Sequence, residues 1–294
     1  MWKKVMRRGS MWEAAIVGGG PAGLAAAMHL CRGGYRTVLA EKDRLGGEAR
    51  RLGRIENYPG FPLGVSGSRL TELMVRQALS WGLQTVHGEV VDCRRGAGRF
   101  RLRLQGGRVL CARTVVYCPG ARFAELGLPE ESRFRGRGLR HAAFGEAAFW
   151  RGRSVAVAGG GEAAAHQALA LALHARQVYL LCRGDKIKAH RLLLDRLNGA
   201  PRVVKLWGAS VRRLHGRGRL EAVEIKNRQG CAKLKIDALF VLIGKTSSRL
   251  PCSKDRGFFV AGDASGHSFR QVAVACGEGM RAAMRCMSFL EDQR

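Results

Sequence analysis

The chain has 294 residues, of which 46% are apolar and 25% charged, and its 51 lysines and arginines against 23 acids give a formal net charge of +28. That length accommodates two ordinary domains, and the composition belongs to a globular chain rather than a disordered or fibrous one. The longest apolar-looking run, Ala14 to Cys31, is interrupted by GGGPAG and His29, which excludes a membrane helix of about 20 unbroken apolar residues.

In chain order, MWKKVMRRGSMWE is basic but has no apolar core or small-residue cleavage site, so no signal peptide is expected and a cytoplasmic location is. AAIVGGGPAGLAAAMHL then reads as strand, glycine turn and alanine-rich helix, and TVLAEK as a second strand. This is the opening of a βαβ dinucleotide-binding unit. Gly18 permits the tight turn, Gly20 lets backbone amides approach a pyrophosphate, and Gly23 lets the helix pack closely on the strand. Pro21 and Ala22 open the helix whose free N–H groups face the phosphates. Glu41, ending the second strand, is placed to accept from ribose hydroxyls and would repel a 2′-phosphate, so this unit suits FAD or NAD(H).

About 140 residues later the pattern returns as SVAVAGGGEAAAHQALAL followed by VYLLCRGD. Gly159 and Gly161 repeat the turn, Glu162 and Ala163 open the helix, and Ala164 stands at the third glycine position. The second strand ends not in an acid but in Cys182-Arg183, with Lys188 shortly after. Two cations and no carboxylate at the ribose end favour NADPH over NADH. One such turn is a weak signal; two, each following a strand and opening a helix, are a strong one. The predicted fold is therefore α/β with two Rossmann-like domains.

Nine cysteines are scattered with no C-x-x-C pair and no zinc-ligand spacing to a histidine, so no metal site is expected and most of these residues read as small buried hydrophobes. Arginine clusters such as RRLGR (50–54) and RFRGRGLR (133–140) are not accompanied by an aromatic-interleaved nucleic-acid motif. The basicity reads first as a solvated surface and second as a field for acidic partners.

The first unit continues into LGGEARRLGRIENYPGFPLGVSGSRL, followed by LGLPEE at 126–131, GRG at 136–138, AGD at 261–263 and RQVAVACGEG at 270–279. In this order and spacing the motifs resemble the thioredoxin reductase-like FAD- and NADPH-binding flavoproteins, over nearly the whole chain. The resemblance implies a discontinuous FAD domain (1–119 and 246–294), an inserted NAD(P)H domain (120–245), and a homodimer. It implies that Gly46 and Gly47 pass along the cofactor, that Asn57 lies near the flavin ring, and that Val91 reaches the adenine with its backbone. Asp263 would hold the ribityl or phosphate portion, and Arg270-Gln271 would begin a helix aimed at the flavin's pyrimidine edge. Glu48 stands where a glutamine is more usual, Cys118-Pro119-Gly120 replaces the usual hinge, and the stretch between Gly244 and Ala261 is shorter than in relatives.

Members with thioredoxin reductase activity carry a C-x-x-C disulfide and an acid before the second glycine turn. Ungapped register from GRG to VAVAGGG puts Ala142, Ala143, Phe144 and Gly145 at those four positions, with Glu146 at the acid. Alanine cannot exchange disulfides, because only a thiolate does. The sequence therefore points to an oxidoreductase taking hydride from NADPH and passing electrons from reduced flavin straight to an external acceptor, a ferredoxin- or flavodoxin-like acidic protein or a small molecule. Glu146 is the candidate proton donor. The alternative is a catalytically impaired flavin- or nucleotide-binding protein with a regulatory role, in which case the basic charge would serve nucleic acid. His141 and His267 read as structural more readily than catalytic.

Overall fold

The computed structural model describes residues 11–141, 147–246, 255–266 and 269–293. It divides into two compact units, Met1–Ala121 with Ser247–Arg294, and Arg122–Thr246.

In the first unit, β1 (Trp12–Val17), α1 (Pro21–Arg32) and β2 (Thr37–Glu41) form a βαβ start to the sheet: the two strands pair in parallel and are mostly buried, and the helix is rich in alanine. Next come α2 (Gly67–Ser80), β3 (Gln84–His87), and a meander of β4 (Val90–Gly96), β5 (Arg99–Leu104) and β6 (Val109–Tyr117). The sheet runs β3-β2-β1-β6-β5-β4, parallel from β3 through β6 and antiparallel beyond. β5 alternates Arg99, Arg101 and Arg103 outward with Phe100, Leu102 and Leu104 inward, the period-2 pattern of a half-buried strand.

The second unit repeats the parallel theme. β7 (Ser154–Ala158), α3 (Glu162–Ala172), β8 (Gln177–Cys182), α4 (Arg191–Asn198) and β9 (Val203–Trp207) lead into an antiparallel meander, β10 (Ser210–His215), β11 (Ala222–Asn227) and β12 (Gly230–Lys235), and then β13 (Ala238–Val241). A short strand, Leu139–Arg140, edges the five-stranded parallel sheet ahead of β13-β7-β8-β9. β7 is buried at every position, as expected for a strand covered on both faces.

The chain then returns to the first unit with β14 (Phe258–Val260) and α5 (Val272–Glu291). β14 pairs in parallel with Val115–Tyr117, so one edge of β6 is shared between β5 and β14. α5 lies on α1 through small residues. A Cβ on Gly279 would stand 2.1 Å from the carbonyl oxygen of Ala22, so only glycine permits this approach. No described helix is long and apolar enough to cross a membrane.

Candidate functional site

The first glycine turn is built by close backbone approaches. Gly18 has φ +98°, and a Cβ there would lie 2.2 Å from the Cys118 carbonyl oxygen; a Cβ on Gly23 would lie 1.9 Å from the Gly18 oxygen. Around Gly20, by contrast, a Cβ would meet nothing within 4 Å. The side of the turn that faces a phosphate is thus open, while the side that faces the protein is closed.

A second wall stands beside it. The Gly46 N–H donates to the Gly19 carbonyl at 2.7 Å, and a Cβ on Gly47 would come within 3.0 Å of Gly20. Glu41 ties the two together at the end of β2: its Oε2 accepts from the Gly19 N–H at 2.6 Å and its Oε1 from the Asp43 N–H at 2.9 Å. Each carboxylate oxygen retains a lone pair that a ribose hydroxyl can use. Asp263 sits in the turn Gly262–Ser265, and Gly262 packs so closely that a Cβ would be 2.8 Å from the Ala22 Cβ. That contact brings the Asp263 turn to the start of α1.

Asn57 and Gln271 are 214 residues apart, yet the Asn57 amide donates to Gln271 Oε1 at 2.8 Å. Arg270 precedes Gln271 and is half-buried. Val91 is the extra residue of a β-bulge, since Val90 pairs with Leu104 and Asp92 with Arg103. A bulged residue lies outside the regular ladder.

The helix ends carry a consistent signal. α2 is capped by Ser66 and α4 by His190, whereas α1, α3 and α5 begin at Gly20, Gly161 and Gln271 with no side-chain cap. Uncapped amides at a helix start, with the partial positive charge of the helix dipole, receive anionic groups. Among the described helices of eight residues or more, the uncapped ones are those whose preceding motifs imply a cofactor; the four-residue helix Glu131–Phe134 is uncapped as well.

In the second unit Gly159 makes the close approach, with a Cβ position 2.4 Å from the Leu242 oxygen, while Gly161 is open. Ala164 is fully buried at the third position, so this helix stands far enough from its turn to accept a methyl group. Glu162 and Ala163 open α3. Arg183 and Lys188 are both exposed, and the Lys188 N–H donates to the Gly160 carbonyl at 2.8 Å. That bond folds the loop after β8 back onto the glycine turn.

Two residues raised by the sequence have structural settings. His141 stacks on Phe123 at 5.2 Å and lies 3.3 Å from the Val241 carbonyl through Nδ1. Glu131, unremarked in the sequence, is 4% exposed and accepts from the amides of Leu126, Gly127 and Leu128, holding the LGLPEE loop. Ala142, Ala143, Phe144, Gly145, Glu146 and His267 lie outside the described residues.

The described cysteines are mostly inert. Burial pushes the thiols of Cys118 and Cys286 up to about 12 and that of Cys182 up to about 11. Burial also raises Cys31 and Cys276. Cys231 is exposed and Cys111 half-buried.

Two glycine turns, one on the parallel part of a mixed sheet and one on a parallel sheet inserted into the first unit's chain, define a protein built to hold two dinucleotides. Comparison with known proteins agrees. The pyridine nucleotide-disulphide oxidoreductase family matches residues 12–279. Thioredoxin reductase from Treponema pallidum is 31% identical over 95% of this chain and 97% of its own, and that of Bacillus subtilis 28% over 98% and 97%. The solved Lactococcus lactis thioredoxin reductase superposes with a TM-score of 0.90 at 25% identity, covering 96% of this chain and 99% of its own. A bacillithiol disulfide reductase from Staphylococcus aureus, 15% identical with a TM-score of 0.78 over 97% and 100% of the two chains, shares the fold. This chain belongs to the pyridine nucleotide-disulphide oxidoreductase family, in its thioredoxin reductase-like branch, whose enzymes are NAD(P)H-dependent flavin oxidoreductases using FAD and NADPH.

Proposed function

We propose that the chain oxidises NADPH and delivers the electrons from FAD directly to an external acceptor, without a dithiol of its own between them. The observation that carries this is the segment before the second glycine turn, where Ala142, Ala143, Phe144 and Gly145 occupy the register of the relatives' two cysteines. Cys31, Cys118, Cys182, Cys276 and Cys286 offer no substitute, because burial raises their thiol pKa values and favours the protonated form, and a thiol is not a nucleophile in disulfide exchange.

FAD, when bound, takes a hydride from the nicotinamide and releases two electrons onward. The chain's residues do the holding. Gly18, Gly20, Pro21, Ala22 and Gly23 seat its pyrophosphate on the start of α1, Glu41 takes the ribose, and Gly46 and Gly47 close the opposite wall. Val91 offers its bulged peptide to the adenine, Asp263 holds the ribityl-phosphate end, and Asn57 with Arg270 and Gln271 flanks the isoalloxazine. The uncapped start of α5 stabilises negative charge there. In the second unit, Gly159, Gly161, Glu162 and Ala163 form the pyrophosphate turn, and Arg183 and Lys188 take the 2′-phosphate. Glu146 is the candidate to hold a proton for the acceptor.

Overall, each NADPH delivers two electrons: two one-electron carriers such as ferredoxin are reduced with release of NADP⁺ and one proton, whereas a disulfide takes up one further proton and opens to two thiols as NADP⁺ is released. The +28 charge favours an acidic redox protein, since complementary fields raise encounter rates. The test is an absorbance spectrum followed by anaerobic titration with NADPH, with NADH in parallel. Flavin bands that bleach with NADPH and recover on adding an acidic ferredoxin, a flavodoxin or a low-molecular-weight disulfide support the reading. Flavin that NADPH cannot reduce, or reduced flavin that no acceptor reoxidises faster than oxygen does, refutes it.

A further inference from the structure

We propose that Glu162, His166 and His190 form a site for a divalent first-row transition cation, with zinc the best match, beside the glycine turn of the second unit. Glu162 and His166 are one turn apart on α3, so their side chains share a face. His190 arrives from the N-cap of α4. The same Lys188–Gly160 backbone bond that returns the loop to the turn delivers His190 two residues later.

The spacing is close to what a metal needs. Glu162 Oε1 is 3.9 Å from His166 Nε2 and 3.7 Å from His190 Nε2, and one donor atom of each residue lies within 4.8 Å of the others. Tetrahedral bonds of about 2.1 Å put ligand atoms roughly 3.4 Å apart. Two edges of the triangle therefore close by a few tenths of an ångström. The third, within 4.8 Å, closes by rotation of imidazoles that are 59% and 52% exposed, His190 giving up its contact with the Leu193 N–H. Two imidazoles and one carboxylate suit zinc and its neighbours; calcium and magnesium demand all-oxygen shells. Three protein ligands leave a fourth position open, which water or a phosphate oxygen can take.

The site has a chemical consequence, which rests on the NADPH reading above. Glu162 opens the uncapped helix α3, where its negative charge opposes an arriving pyrophosphate. A dication on the carboxylate reverses that charge, so cation and dinucleotide bind cooperatively. There is also a structural signature. His190 Nδ1 now accepts the Leu193 N–H at 3.3 Å and caps α4. With the cation on Nε2, the ring proton moves to Nδ1 and the cap is lost. Spacing within the sequence could not reveal the trio, because the third ligand comes from another helix 24 residues after His166.

The experiment is calorimetric titration of the chelator-treated full chain with Zn²⁺ alone, in wild type and in His166→Ala and His190→Asn. Asparagine preserves a capping side chain on α4 but is a poor zinc ligand. One equivalent bound by wild type, weakened at least tenfold in each variant, with faster amide exchange at Leu193 on adding zinc to wild type only, is the expected result. No binding, or an isotherm unchanged in both variants, overturns the site, the latter because the ion then sits on cysteines elsewhere. The zinc isotherm needs no NADPH, so loss of NADPH binding in every form would defeat the proposed function and leave this site standing.

Discussion

Substituting Gly23 by alanine tests how the first dinucleotide turn is built. The added Cβ would lie 1.9 Å from the Gly18 carbonyl oxygen, so α1 must retreat by about 1.1 Å before the contact reaches even 3.0 Å. The obstructing atom is backbone, and no side chain can swing aside. Overpacking of this kind costs roughly 1–3 kcal/mol, which corresponds to about 2–4 °C in Tm per kcal/mol for a chain of this size class. The same retreat moves the α1 amides away from Gly46 and Gly47, so FAD is held less tightly. The control is internal: the second unit already carries buried Ala164 at the equivalent position, and Ala164→Gly should cost only about 0.5–1 kcal/mol. The assay is the flavin-to-protein absorbance ratio after gel filtration, with thermal unfolding followed in excess FAD. A Gly23→Ala protein that retains full flavin and melts within a degree of wild type would show that the close approach does not constrain the site.

Glu41→Gln keeps the shape but removes the charge that accepts the Gly19 N–H at 2.6 Å. Charge-assisted bonds contribute about 1.5–3 kcal/mol, so the FAD dissociation constant should rise by roughly ten- to a hundredfold, read by flavin fluorescence on dilution. Replacing Arg183 and Lys188 together by alanine should raise KM for NADPH at least tenfold while leaving that for NADH within about twofold; equal loss for both cofactors would remove the 2′-phosphate assignment. Among the described cysteines, exposed Cys231 should react with a thiol reagent at pH 8, while Cys118, Cys182 and Cys286 stay unlabelled until unfolding. The same thiols give a pH dependence. Unfolded, they ionise near 9.0 but, folded, only at about 11 to 12. Above the lower value the unfolded chain has released protons that the folded chain still holds, so stability falls as pH rises from about 9 to about 12. A denaturant midpoint that stayed flat across that window would contradict the burial.

The parts of this protein that the sequence determined by itself are those written in local sterics. Gly18 and Gly23 are legible because a tight turn followed by a closely seated helix admits no Cβ, and the clash distances show it. Glu41 and Lys188 are legible because strand ends are a fixed number of residues from those turns. The missing cysteine pair is legible because a thiol has no substitute in disulfide exchange. What the tertiary structure decided depends on segments far apart in the chain. Gly279 needs to be glycine only because α5 crosses Ala22. Asn57 meets Gln271 only after the second unit has been inserted and passed. Val91 is set apart by a bulge in register with β5 that alternation alone does not reveal. His190 joins Glu162 and His166 only because the backbone bond from Lys188 to Gly160 brings one helix's cap onto another's first turn. Local rules fix the turns and the ends of elements; which turn faces which helix depends on long-range packing, and no window of sequence contains it.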